Sequence, residues 1–223
     1  MERNVGIVEL SDILKRIDHT ILKPDTTIKD IYKLCDEAEK YKFASVCLPP
    51  CFVREASHYA GGRVKICSVI GFPMGYGTTA SKEAEARELI SLGADELDMV
   101  INIGRLKNKE YDYVSSEIGK LKSIAGDKIL KVIVETGMLT DEEKIKMCQI
   151  VTTEGADYIK TSTGFLSRGA DIKDIILFKE NIGRNVKIKA SGGIRTKEEI
   201  IGFIEAGADR IGMSSVMNAL NLK

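Results

Sequence analysis

The chain has 223 residues, with 33 basic side chains balanced by 33 acidic ones. That balance argues against bulk attraction to nucleic acid or to an anionic membrane, so any anion site must be local. Five cysteines (Cys35, Cys47, Cys51, Cys67 and Cys148), odd in number and without Cys-x-x-Cys spacing, point to a reduced, cytoplasmic setting. The only histidines, His19 and His58, are far apart, so a histidine-rich metal site is not expected and chemistry without metal or cofactor is the better expectation. Residues 1–5 enter no long apolar run, so no signal peptide is expected, and lysines interrupt every apolar stretch that could span a membrane.

In chain order, strand candidates cover 16–21, 43–48, 65–70, 96–101, 129–135, 157–162, 186–190 and 209–213. Amphipathic helical patterns fall between them at 28–40, 80–92, 110–124, 141–153, 172–180 and 197–205. Thr140-x-x-Glu143 and Thr196-x-x-Glu199 are capping boxes that start helices just after strand and loop. Alternation of strand and helix through the whole chain implies a parallel sheet, and eight such units close into a single (β/α)8 barrel, here read as one domain over residues 1–223. Gly-Ala-Asp recurs at Gly93-Ala94-Asp95, Gly155-Ala156-Asp157 and Gly207-Ala208-Asp209, each ending a helix and opening a strand. Three residues beyond each aspartate stand Asp98, Lys160 and Gly212: a carboxylate, an amine and a bare backbone at equivalent strand positions.

Strand side chains alternate faces. If Leu97, Met99, Leu130, Val132, Val134, Ile159, Ile188 and Ala190 face the helices, then Glu96, Asp98, Val100, Lys131, Ile133, Glu135, Tyr158, Lys160, Ser162, Lys187, Lys189 and Ser191 point inward. Asp98, Lys131, Lys160 and Lys189 are an unusual population for a barrel lumen, which branched apolar residues normally fill. Isolated buried charges are costly unless paired, so the alternative is a purely structural ion network. A lysine attacks a carbonyl only as the neutral amine, and burial plus a second ammonium favour that form. Lys160 beside Lys189, with Asp98 to pass protons, therefore suits imine formation, the imine acting as the electron sink for carbon–carbon cleavage.

Small residues follow both lysines: Thr161-Ser162-Thr163-Gly164 after Lys160 and Ser191-Gly192-Gly193-Ile194-Arg195 after Lys189. Gly192-Gly193 and Ser214-Ser215 fall in the loops after strands seven and eight, where barrels often bind phosphate. Asp18 and Thr20 could meet a sugar hydroxyl or water, or cap the loop after the first strand. Cys47 reads as a buried small hydrophobe, Gly71-Phe72-Pro73-Met74-Gly75 as part of the mouth, and Lys131 and Glu135 as a possible mutual pair. Two other readings compete: an epimerase or lyase working by acid–base chemistry through Asp98 and Glu135, and a sugar-phosphate sensor without catalysis.

Asp18-His19-Thr20, Glu96-Leu97-Asp98-Met99-Val100, Lys131-Val132-Ile133-Val134-Glu135-Thr136-Gly137, Tyr158-Ile159-Lys160-Thr161-Ser162-Thr163-Gly164 and Lys189-Ala190-Ser191-Gly192-Gly193-Ile194-Arg195 together resemble the deoxyribose-phosphate aldolase family, from about residue 10 to residue 217. The resemblance implies reversible cleavage of 2-deoxy-D-ribose 5-phosphate to D-glyceraldehyde 3-phosphate and acetaldehyde. It implies Lys160 as the Schiff-base lysine, Asp98 as the proton donor and acceptor, Lys189 as the lysine that tunes Lys160, and Gly164, Gly192, Gly193, Ser214 and Ser215 as the phosphate site. A small phosphorylated sugar is then the partner, with no nucleic acid or membrane, in a homo-oligomer (dimer or tetramer). Some family members end in a tail whose last tyrosine assists proton transfer. This sequence ends Asn221-Leu222-Lys223, so water held by Asp98 and Lys189 is expected to serve instead.

Overall fold

The computed structural model describes residues 9–166 and 168–223; the signal-peptide expectation falls on residues 1–5, outside that range. Eight parallel strands, β1 (Ile17–Thr20), β2 (Ser45–Leu48), β3 (Ile66–Ile70), β4 (Glu96–Val100), β5 (Ile129–Ile133), β6 (Tyr158–Lys160), β7 (Lys187–Ser191) and β8 (Arg210–Met213), pair in sequence order and close between β8 and β1. Helices α1 (Leu10–Leu14), α2 (Ile28–Tyr41), α3 (Val53–Ala60), α4 (Thr79–Ser91), α5 (Ile103–Lys107), α6 (Tyr111–Ala125), α7 (Asp141–Thr153), α8 (Ile172–Asn181), α9 (Lys197–Ala206) and α10 (Val216–Ala219) run outside. All eight expected strands and six expected helices form, with ends shifted by a few residues.

Local chemistry sets the helix starts. Thr140 with Glu143 and Thr196 with Glu199 form the two expected boxes, and Thr27 with Asp30 forms a third in which aspartate replaces glutamate. Helix α3 was not expected: it spans only eight residues, shorter than the window in which a helical pattern separates from other short apolar runs, and it buries Val53, Ala56 and Ala60. Helices α1, α5 and α10 span four or five residues each, below the length at which periodicity is readable. Among the described residues no helix is long and apolar enough to cross a membrane.

The Gly-Ala-Asp repeat proves to be a clamp at the floor of the barrel. Gly93, Gly155 and Gly207 all have positive φ (103°, 68° and 120°), which turns the chain out of its helix. Each following aspartate then makes a reciprocal pair with the start of the preceding strand. The Asp95 carboxylate accepts the Ile66 N–H at 3.0 Å while the Asp95 N–H donates to the Ile66 carbonyl at 2.7 Å. Asp157 does the same with Leu130, and Asp209 with Ile188. A residue that seemed to serve only as a turn marker thus ties neighbouring strand starts together.

The apolar core lies between sheet and helices, where Leu97, Met99, Leu130, Val132, Ile159, Ile188 and Ala190 all pack, as the alternation required. Buried ion pairs also sit outside the lumen, and one of them is wholly removed from water. Lys82 of α4 and Glu117 of α6, both fully buried, pair at 2.8 Å, and the ammonium also donates to the Val100 carbonyl at 2.8 Å. Removing one partner strands a buried charge, whereas replacing both with apolar residues removes the desolvation cost as well. Lys82→Ala should therefore lower the unfolding free energy by about 3–5 kcal/mol in urea titrations, and Lys82→Met combined with Glu117→Leu by far less.

Candidate active site

The lumen holds charge instead of an apolar plug. Register places Asp98 beside Lys131, Ile133 beside Lys160, and Lys160 beside Lys189 on successive strands. Alternation points Asp98 and the three lysines inward, and at this level all reach the centre. The Asp98 carboxylate meets Lys131 Nζ at 2.8 Å on one oxygen, and on the other Lys160 Nζ at 2.8 Å and Lys189 Nζ at 2.7 Å. Cys67 Sγ donates to the first oxygen at 3.2 Å.

A second carboxylate, Asp18, completes this arrangement. It takes Lys189 at 2.5 Å, the Ser45 hydroxyl at 2.8 Å and Arg210 at 2.5 Å. Sequence reasoning weighed Asp18 as a ligand for a sugar hydroxyl or as a loop cap; the structure makes it a buried anchor for Lys189, which only the parallel pairing of β1 with β8 reveals. Glu96 below it takes Lys131 at 2.6 Å and Arg210 at 3.4 Å. Arg210 was missed by sequence reasoning, although the repeat carried the signal. One residue beyond each clamp aspartate stand Glu96, Tyr158 and Arg210, a lower lumen layer in which the guanidinium lies 5.5 Å from the Tyr158 ring centre.

Three further expectations need correction. Lys131 and Glu135 do not pair: Lys131 is satisfied by the lumen carboxylates, and Glu135 leaves the strand with φ 57° and accepts the Thr163 N–H at 3.0 Å. Lys187 does not reach the lumen interior; it begins β7, is exposed, and lies 5.8 Å from the Tyr158 ring. Lys160 was expected in a positively charged pocket with Asp98 across the lumen, whereas Asp98 is ion-paired to it directly at 2.8 Å. Cys47 is buried with Cys67 and Val69 in a small apolar cluster, as expected.

Electrostatics orders these groups. Burial by itself raises the Asp98 pKa, but Lys131, Lys160 and Lys189 outweigh it and hold the carboxyl well below the usual range. Asp18 is lowered in the same way, Lys189, Lys131 and Arg210 overcoming its burial. Lys189 is disfavoured as an ammonium by burial, yet Asp18 and Asp98 raise its pKa above the usual lysine value. With every group ionised, Asp18, Glu96 and Asp98 face Lys131, Lys160, Lys189 and Arg210, one positive charge in excess. Among the described residues Lys131 touches three carboxylates, Lys189 and Arg210 two each, and Lys160 one. The lysine held least is Lys160, also the most exposed of the three at 5% of its side chain.

Above this layer lies backbone. Gly192 and Gly193 follow β7 with φ 92° and 76°, and Gly164 follows β6 with φ 82°. A Cβ on Gly192 would stand 3.1 Å from Gly169 Cα, 3.3 Å from Ser162 Cβ and 3.4 Å from Gly164 Cα, so these segments lie backbone on backbone. Ser215, past β8, donates its hydroxyl to the Ile194 carbonyl at 3.2 Å, and Ser214 beside it is exposed. Thr20 ends β1 half-buried, its hydroxyl donating back to the Asp18 carbonyl at 2.9 Å. Phe72 of the β3 loop meets Phe165 edge-on at 5.2 Å, joining the loop after β3 to the loop after β6. The arrangement combines an inward amine, a carboxylate that contacts three amines, and a cradle of glycine backbone on the C-terminal side.

A family model described as DeoC/LacD family aldolase matches residues 13–220. The chain belongs to the DeoC/LacD family of aldolases. A deoxyribose-phosphate aldolase of Clostridioides difficile is 56% identical over 211 residues, 95% of this chain and 96% of that one, and one from Ureaplasma parvum is 52% identical over 206 residues, 92% and 96% of the two chains. Among solved structures, the tetrameric deoxyribose phosphate aldolase of Aeropyrum pernix superposes with a TM-score of 0.88 at 33% identity, covering 96% of this chain and 91% of its own. In this aldolase the close packing of lumen side chains is specific at one glycine. A Cβ on Gly212 would stand 2.9 Å from Lys189 Cε and 3.1 Å from Ser191 Cβ, so β8 carries no side chain where Lys189 crosses the lumen.

Gly212→Ala should displace the Lys189 stem by a few tenths of an ångström or more and lower kcat by about a hundredfold in steady-state assays, with the circular dichroism spectrum retained. Acid should unfold the protein through the same lumen. Free aspartate titrates at about 3.9, and Asp18 and Asp98 titrate lower in the folded chain, so the unfolded chain binds more protons just below that value. Their contribution is complete above about pH 5 and declines as pH falls below about 4, which chemical denaturation at a series of pH values will register as a falling midpoint.

Proposed function

We propose that this protein is a class I aldolase that reversibly cleaves 2-deoxy-D-ribose 5-phosphate to D-glyceraldehyde 3-phosphate and acetaldehyde, with Lys160 forming the Schiff base. The observation that carries the reading is the single inward lysine with one carboxylate contact in a lumen with one positive charge in excess. Loss of the Lys160 proton leaves three cations facing three carboxylates, so the amine is released without stranding a buried charge. The names of relatives at 50–56% identity support the same substrate.

In this mechanism the Lys160 nitrogen lone pair adds to the C1 aldehyde carbon of the open-chain sugar. The resulting carbinolamine loses its hydroxyl as water, using a proton that passes through Asp98, and becomes the protonated imine. The C3 hydroxyl then gives its proton, through water, to the Asp98 carboxylate, the C2–C3 bond breaks, and its electron pair moves to the iminium to form an enamine. Glyceraldehyde 3-phosphate leaves as the C3 aldehyde. Protonation at C2 and hydrolysis return acetaldehyde and the free amine. Gly164, Gly192, Gly193, Ser214 and Ser215 receive the phosphate through backbone N–H groups and hydroxyls, and Thr20 faces the sugar. Lys189, doubly paired, stays an ammonium throughout and provides the positive field beside the imine nitrogen.

The same proposal takes the 223 residues as one domain working in the cytoplasm, as a homo-oligomer (dimer or tetramer). The tetrameric relative supports association. Incubation with acetaldehyde, reduction with borohydride and peptide mapping should find an ethyl adduct on Lys160. Lys160→Ala should lower kcat by at least about a thousandfold and abolish the adduct. An adduct on another lysine, or turnover retained in Lys160→Arg, would overturn the assignment and favour the acid–base reading.

A further inference from the structure

We infer that Glu135 is a positioning residue for the phosphate end of the site, holding the Thr163-Gly164 turn in the shape that receives the anion. The inference rests on the phosphate assignment proposed above. Three observations carry it. Glu135 is 1% exposed and adopts φ 57° and ψ 63°, a left-handed conformation that costs energy for a residue with a side chain and persists only where its surroundings hold it. Its Oε2 accepts the Thr163 N–H at 3.0 Å, across the gap from the end of β5 to the loop after β6. Its Oε1 is buried with no hydrogen-bond partner among the described residues, so the carboxylate's one contact there is with the Thr163 N–H.

The neighbouring atoms extend this corner into the cradle. The Thr136 N–H donates to the Thr161 carbonyl at 2.9 Å, so two consecutive residues of the β5 corner hold the first and third residues after Lys160. Thr163 Oγ1 in turn accepts the Phe165 N–H at 3.2 Å, closing the turn around Gly164. A Cβ on Gly164 would stand 3.5 Å from Gly192 Cα, so the shape of this turn sets how the two glycine segments meet. A hydrogen bond from a backbone N–H to a carboxylate is about twice as strong as one to a neutral acceptor, which suits a turn that must keep its shape beside an arriving anion. Glu135 acts on substrate through Thr163 and Gly164.

The test compares Glu135→Gln, which keeps an acceptor oxygen, with Glu135→Leu, which removes it at similar volume. Turnover of 2-deoxyribose 5-phosphate and of unphosphorylated 2-deoxyribose is measured for each. For Glu135→Leu the preference for the phosphorylated sugar, as the ratio of the two kcat/KM values, should fall by about tenfold, with most of the change in KM; Glu135→Gln should recover most of it. A Leu variant whose ratio is unchanged, whether both activities persist or both fall together, overturns the positioning role. If Glu135→Leu does not fold, an unaltered preference and an unaltered inhibition constant for inorganic phosphate in Glu135→Asp, whose shorter side chain withdraws the acceptor from the Thr163 N–H, overturn it. Failure of the wild-type protein to cleave 2-deoxyribose 5-phosphate strikes the proposed function itself, and is read in the same assay before any variant is compared.

Discussion

Three ammonium groups converge on one buried carboxylate, and the geometry of the barrel interior follows from that convergence. Asp98 cannot be removed from water at acceptable cost without cations around it, and Lys131, Lys160 and Lys189 cannot be buried without anions. Each solves the other's desolvation. Because β4, β5, β6 and β7 supply these four residues in order, the polar network is compatible with only one register of those strands. A slip by one residue would turn every charged group outward into the apolar layer.

The network is also unequal. Asp18 and Glu96 take up Lys131, Lys189 and Arg210, so those cations are fixed from at least two sides, and Lys160 is left with the one oxygen it shares with Lys189. This inequality sets one loosely held amine apart from more tightly paired neighbours on one common scaffold. It also explains how an overall neutral chain can offer a local field to an anion: the excess positive charge is confined to the lumen, beneath a mouth built of glycine backbone and small hydroxyl residues.

Much of this was legible in the sequence, because strand alternation is a strong constraint when apolar residues occupy every second position. Leu97 and Met99 fixed the parity of β4, and hence the direction of Asp98; Ile159 did the same for Lys160. What alternation cannot reveal is pairing between strands distant in the chain. Asp18 and Arg210 stand 192 residues apart and meet only because the barrel closes between β1 and β8. Glu135 escaped because its backbone leaves the strand conformation at the residue itself, so the period-two rule ends one position early. Lys187 escaped for the complementary reason: it faces the right way but sits at the strand's first residue, level with solvent.

The aspartate clamps give the barrel floor a grain. They join β3 to β4, β5 to β6 and β7 to β8, while the first pair is joined without one, Phe43-Ala44 standing where Ala-Asp stands elsewhere. The sheet is therefore stitched in twos. Rearranging the chain so that its ends fall ahead of β3, β5 or β7 leaves every stitch within an unbroken strand–helix–strand segment, whereas new ends inside a stitched pair would part the two residues each stitch binds. In this sense the scaffold is assembled from strand–helix–strand modules, and the charged lumen arises where the modules are brought together.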